Sequence, residues 1–253
     1  MTIISSYSIK GGVGKTALAV NLAYAMRKSG LRTLLIDLDP QGAATFYFRM
    51  GSSKKLRMRD TDTLADGLRR NVRESDFPGL DIIPSNLAFR NFDIVLDSMS
   101  KSRKRLRKVL EEFKSDYDAI LLDCPPNITL LSENVFRASD AIVVPVIPTV
   151  LSQRTLEQLT GFFQDEDLPD EIIRPFFSMV QKRNRMHRDI MAELPLSFPG
   201  FLKTVVPFSV DVEKMGLRRM PLLAYSTTCE AALAYRALCD EILGEVVAQH
   251  DRD

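Results

Sequence analysis

The sequence predicts an α/β fold, a doubly wound and mainly parallel sheet flanked by helices. Two observations predict it. Seven short apolar runs alternate with segments that are mostly long enough for crossover helices, the pattern of parallel strands joined through helices. The first run also leads directly into a glycine-rich turn and then a helical period, the layout of a strand–loop–helix unit.

The elements follow in order. TIISSYSI (2–9) reads as the first strand. From Lys15 to Ser29, residues Leu18, Leu22 and Ala25–Met26 share one face and Gly30 takes the position just past the end, which predicts a helix. RTLLIDLD (32–39), GLDIIPS (79–85), DAILLDCP (118–125), AIVVPVIP (141–148), RPFFSMV (174–180) and KTVVPF (203–208) read as further strands. KSRKRLRK (101–108) holds six basic residues in eight. With Leu96, Met99, Leu106, Leu110 and Phe113 at helical spacing, it reads as an amphipathic helix with a solvated face. Repeats, low-complexity tracts and long linkers are missing, so a single domain over 1–253 is expected. The first strand starts at once, so no helix-turn-helix is expected ahead of it.

Composition narrows the function classes. The chain has 253 residues, 45% of them apolar and 26% charged, with a net charge of +1. No global field drives it onto nucleic acid or membrane, so such binding requires a local patch. The three cysteines, Cys124, Cys229 and Cys239, form no CxxC pair and read as reduced thiols in a cytoplasmic protein. The longest apolar run, Ala141 to Leu151, is broken by Pro145 and Pro148 and is too short to span a membrane. The start of the chain lacks the basic region of a signal peptide.

Three motifs carry chemistry. Gly11-Gly12-Val13-Gly14-Lys15-Thr16 joins a strand to a helix. There the backbone N–H groups would close around a β-phosphate, with the helix N-terminus pointing at it. Lys15 would reach the β- and γ-phosphates, and the Thr16 hydroxyl would ligate Mg²⁺. In LLIDLDPQGAAT (34–45), an apolar run ends in Asp37 and Asp39, which strand alternation would put on one face at the ligand-binding edge of the sheet. One aspartate can serve Mg²⁺ while the other positions a water. In YDAILLDCPPN (117–127), four apolar residues precede Asp123, which would contact Mg²⁺ through water. Cys124 has no His or second Cys near it in sequence and reads as a buried thiol.

These three stretches resemble the deviant Walker A, Walker A′ and Walker B motifs of the ParA/MinD family of P-loop ATPases, and 204–243 resembles the end of ParA-type proteins. The likeness covers essentially the whole chain and is nearest to the short, chromosomal-type ParA branch. It implies an ATP hydrolase with ATP and Mg²⁺ as cofactors and with weak activity that a partner stimulates. Lys10 matches the family's signature lysine, which enters the partner's site when two subunits face each other with ATP. The resemblance thus implies Lys10, Lys15 and Asp39 as catalytic residues, and Thr16, Asp37 and Asp123 at the metal. Lys10 to Ala17 would contact the nucleotide, with Pro207 and Phe208 on the adenine side. Ala17 stands where Thr is frequent, and GAAT replaces the frequent GNAT after Gln41.

MinD-like relatives end in a basic amphipathic helix that lies on membrane. Here 230–253 holds six acidic side chains and two arginines, which an anionic bilayer would repel. A MinD-like membrane- or pole-associated regulator is therefore the second reading. An amidating ligase is the third, without a substrate signature. The first reading is a cytoplasmic, nucleoid-associated ATPase that dimerises with ATP and binds non-specific DNA. It would position a cargo, such as a plasmid, a chromosome region or a protein body, through a ParB-like or cargo-adaptor partner, without membrane insertion. DNA binding needs a basic surface. Lys182, Arg183 and Arg185 in 181–188 and Lys214, Arg218 and Arg219 in 213–220 are the candidates, ahead of 101–108.

Overall fold

A computed structural model describes residues 1–51, 61–85, 102–198 and 200–250. The strands are β1 (Thr2–Ser6), β2 (Thr33–Asp37), β3 (Arg73–Glu74), β4 (Leu80–Ile83), β5 (Ala119–Asp123), β6 (Ala141–Val146), β7 (Ile173–Val180) and β8 (Val205–Pro207). The helices are α1 (Lys15–Lys28), α2 (Ala43–Tyr47), α3 (Thr61–Asn71), α4 (Arg105–Glu111), α5 (Leu130–Ala138), α6 (Val150–Asp165), α7 (Arg185–Ser197), α8 (Val210–Glu213), α9 (Met215–Arg218), α10 (Leu222–Tyr225) and α11 (Glu230–His250).

The strands form one sheet in the order β3-β4-β2-β5-β1-β6-β7-β8. Every pairing is parallel except β3 with β4. All seven expected strands are present, each at the core of its apolar run except β7, which starts one residue earlier, at Ile173. The short β3 went unpredicted because Arg73–Glu74 carries no apolar alternation and pairs only at the sheet's edge.

Alternation in the central strands divides the core into two layers. Ile3, Leu34, Ile36, Ile120, Leu122 and Ile142 face one side, where α3, α4, α5, α6 and α7 pack. Ile4, Leu35, Leu121 and Val143 face the other, covered by α1 and α11. With both faces covered, the strands read as continuous apolar runs rather than alternating ones. Leu106, Leu110 and Phe113 are buried as the helical spacing around 101–108 predicts, whereas Leu96 and Met99 lie outside the described residues.

The arrangement brings loops together at one edge. β1 and β6 are both parallel to their neighbours, and β1 sits between β5 and β6. The C-terminal ends of β2, β5, β1, β6, β7 and β8 therefore open on the same side, the ligand edge of an open α/β sheet.

Candidate functional site

Lys10 to Ala17 bridges the end of β1 and the first turn of α1. Gly12 has φ 74° and Gly14 φ 98°, left-handed conformations that cost a side-chain-bearing residue energy. Gly14 also approaches β7 closely, since a Cβ there would meet Ser178 Oγ at 3.3 Å. Ser178 Oγ donates to Val13 O (3.0 Å), and Ser6 Oγ donates to Lys15 O (2.8 Å). The loop is thus pinned to β7 and β1 through its carbonyls. No spacing signal announces either serine, because both partners are distant or local to another element.

The two lysines differ in direction. Lys15 is buried and its Nζ donates to Lys10 O (3.1 Å), so the ammonium curls over its own loop. Burial pulls its pKa down, while the charges of Asp123 and Asp39 push it back up. Lys10 Nζ instead donates to Ser152 Oγ (3.4 Å) in the first turn of α6. Val150 and Leu151 in that same turn are 67% and 65% exposed, an uncovered apolar pair next to Lys10.

β2 and β5 are adjacent and in register, so Asp37 pairs with Asp123 at their C-terminal ends. Both are fully buried. Asp37 Oδ2 accepts Thr45 Oγ1–H (2.6 Å) and Thr45 N–H (2.8 Å), yet its Oδ1 has no hydrogen-bond partner. Neither carboxylate oxygen of Asp123 has one. Burial lifts the Asp37 pKa to about 6, with the nearby Asp39 charge adding and the Thr45 bonds opposing. Burial and the Asp37 charge also raise the Asp123 pKa well above the ordinary carboxylate range, against the Thr16 hydroxyl and Lys15. Three orphaned buried carboxylate oxygens, beside Lys15 and the Thr16 hydroxyl, are a donor set that suits a hydrated divalent cation. Among the described residues no group of three or more His, Cys, Asp or Glu could hold a metal alone. Such a cation would draw the rest of its shell from water and phosphate oxygens, as Mg²⁺ commonly does.

β2 ends at Asp37, so strand alternation does not place Asp39. Asp39 lies in the following turn, half-buried, with Oδ1 accepting Gln41 N–H (2.9 Å). Its nearness to the acidic pair comes from that turn. Cys124 is buried, its Sγ donates to Leu122 O (3.7 Å), and burial raises its pKa well above the usual thiol range. It is an inert thiol, as expected.

Pro207 closes β8 at the same sheet edge, and Phe208, 46% exposed, donates its N–H to Val180 O (3.0 Å) on β7. The basic candidates follow the ends of the neighbouring strands β7 and β8. Lys182 is ion-paired with Glu230, Arg183 is exposed, and Arg185 lies 3.7 Å from Asp189. Lys214 pairs with Asp211 at 2.9 Å. The Arg218 guanidinium lies 5.4 Å from the Tyr225 ring centre, and that of Arg219 lies 4.5 Å from the Phe46 ring centre while its Nε donates to Phe46 O (3.2 Å). Arg49, 169 positions away, joins them by donating Nη2–H to Arg218 O (3.1 Å), a cation that sequence spacing does not reveal. In 102–108, two arginines likewise have acidic partners. Arg103 pairs with Glu133 and Glu166, and Arg107 with Glu111 and Asp140, which agrees with a solvated helix face.

Comparison with known proteins adds the family. A family model described as "AAA domain" matches residues 1–168. The chromosome partitioning protein ParA of Caulobacter vibrioides is 29% identical, over 96% of this chain and 94% of its own. The sporulation initiation inhibitor protein Soj of Bacillus subtilis is 30% identical, over 95% and 97%. The solved structure of Cyanthece apo McdA superposes with a TM-score of 0.77 at 19% identity, covering 96% of this chain and 99% of that one, a likeness of fold.

Proposed function

The chain belongs to the ParA/MinD family of P-loop ATPases, and from that premise we propose that it dimerises on binding ATP, holds non-specific DNA and positions a cargo through a partner that stimulates hydrolysis. The observation that carries this reading is the division between the two lysines. Lys15 stays over its own loop, whereas Lys10 leaves it for Ser152 at the start of α6. The exposed Val150–Leu151 pair beside Lys10 suits a face that a second subunit covers.

In this reading Lys15 and the loop N–H groups hold the β- and γ-phosphates, with the adenine near Pro207 and Phe208. Thr16, Asp37 and Asp123 hold a Mg²⁺ ion, which supplies neutralisation of charge on the phosphate oxygens. Asp39, outside the strand and less buried, orients the attacking water. Lys10 crosses to the facing subunit and stabilises charge there, as an arginine finger does elsewhere. Lys182, Arg183, Arg185, Lys214, Arg218 and Arg219 meet DNA phosphates, a binding that falls with salt. No helix among the described residues is long and apolar enough to cross a membrane.

The test is light scattering with ATP on Lys10→Ala in an Asp39→Ala background that blocks turnover. The Asp39→Ala protein should be a dimer, and the double variant a monomer that still binds ATP. A double variant that dimerises with unchanged affinity would remove Lys10 from the interface and the reading with it.

A further inference from the structure

The turn from Asp37 to Thr45 and the end of β4 are joined by a chain of hydrogen bonds that the two aspartates alone do not explain. Thr45 Oγ1 lies 2.6 Å from Asp37 Oδ2 and 2.7 Å from Ser85 N. The Ser85 amide can only donate, so it occupies an acceptor site on the Thr45 hydroxyl. The hydroxyl proton is thereby directed to Asp37 Oδ2. The Thr45 N–H donates to that same oxygen at 2.8 Å. Both bonds fall on Oδ2, which leaves Oδ1 as the single unpartnered oxygen of Asp37. Ser85 acts a second time, its Oγ donating to Asp39 O at 2.6 Å. Thr45 and Ser85 are each 5% exposed, so water does not compete for these bonds.

We infer that Thr45 and Ser85 are positioning residues for the acidic site. Thr45 fixes which Asp37 oxygen faces the cation. Ser85 orients the Thr45 hydroxyl and anchors the turn that carries Asp39. Neither residue touches the nucleotide in this account; each acts through an aspartate. The inference rests on the proposed Mg²⁺-dependent ATP site, and it names the residues that tune that site rather than those that form it. Groups hydrogen-bonded behind metal ligands typically change metal affinity or activity by about 10–100-fold when removed.

The experiment uses Thr45→Val, which keeps the branched shape and the backbone N–H but removes the hydroxyl, with Thr45→Ser as the variant that keeps it. Two quantities are read: the Mg²⁺ midpoint for binding a non-hydrolysable ATP analogue, and kcat against KM for ATP at saturating Mg²⁺. Analogue binding without Mg²⁺ and the melting curve serve as folding controls. Thr45→Val should raise the Mg²⁺ midpoint about 10-fold and lower kcat, with metal-free analogue binding unchanged. Thr45→Ser should restore both. An unchanged Mg²⁺ midpoint in Thr45→Val, or equal losses in Thr45→Val and Thr45→Ser, overturns the positioning role while the ATP site stands. A wild-type protein that binds the analogue equally with and without Mg²⁺ overturns the site reading, and the positioning role falls with it.

Discussion

The acidic pair should make the nucleotide-free protein pH-sensitive, and Asp37→Asn should remove part of that sensitivity. Asp37 is fully buried with one oxygen unpartnered, and its pKa stands at about 6 against an ordinary 3.8. The folded value lies above the unfolded one, so the folded state holds its proton more tightly. The stabilising contribution is therefore complete below about pH 4 and is lost as pH rises through about 6. The gap between 3.8 and about 6 corresponds to about 3 kcal/mol lost by neutral pH. Asp123 is raised in the same direction by burial and adds to the decline. Asparagine has the same shape, keeps an oxygen for the Thr45 donors and carries no charge. Its amide can donate toward Asp123. Asp37→Asn should be more stable than wild type at pH 8 without nucleotide, by on the order of 1–3 kcal/mol, and nearly equal to it at about pH 3.5, below the unfolded value. Urea unfolding at the two pH values, followed by circular dichroism, measures this. Equal or lower stability of Asp37→Asn at pH 8 would refute the claim that an unsatisfied buried charge is held there.

Other substitutions separate the remaining roles. Lys15→Ala should abolish ATP binding by calorimetry, because the loop loses the ammonium that curls over it. Asp39→Ala should bind ATP but turn it over about 10²–10⁴-fold more slowly, since a water-orienting group is gone; a steady-state phosphate-release assay checks it, and wild-type turnover would move the role to another residue. Arg218→Glu with Arg219→Glu should weaken ATP-dependent DNA binding measured by anisotropy and flatten its log–log salt dependence by roughly 0.9 per lost phosphate contact. A full salt slope in that double variant would assign the DNA to the segment around Lys182.

The sequence makes the strands and the glycine loop legible because their signals are local. Continuous apolar runs bounded by Asp37 and Asp123 report strands buried on both faces, and Gly12 and Gly14 report a backbone that other residues resist. Asp37 and Asp123 are 86 positions apart, yet the parallel order of β2 and β5 makes each strand end at the same edge, so two local signals converge without any pairing signal. What sequence reading misses is every partner chosen by the fold. Thr45 belongs to the same motif as Asp37 but stands eight positions on, in a helix of five residues, and its role depends on Gly42 turning the chain back at φ 67°. Ser85 closes a bond across 40 positions and Arg49 one across 169, where neither periodicity nor composition carries information. The position of Asp39 has the same origin. Alternation holds only while the strand lasts, and β2 stops at Asp37, so the turn decides where the second carboxylate goes. A residue that donates directly to a charged ligand can be read from its motif; one that orients the donor cannot, because its requirement is a position in space and any serine or threonine that reaches it will serve.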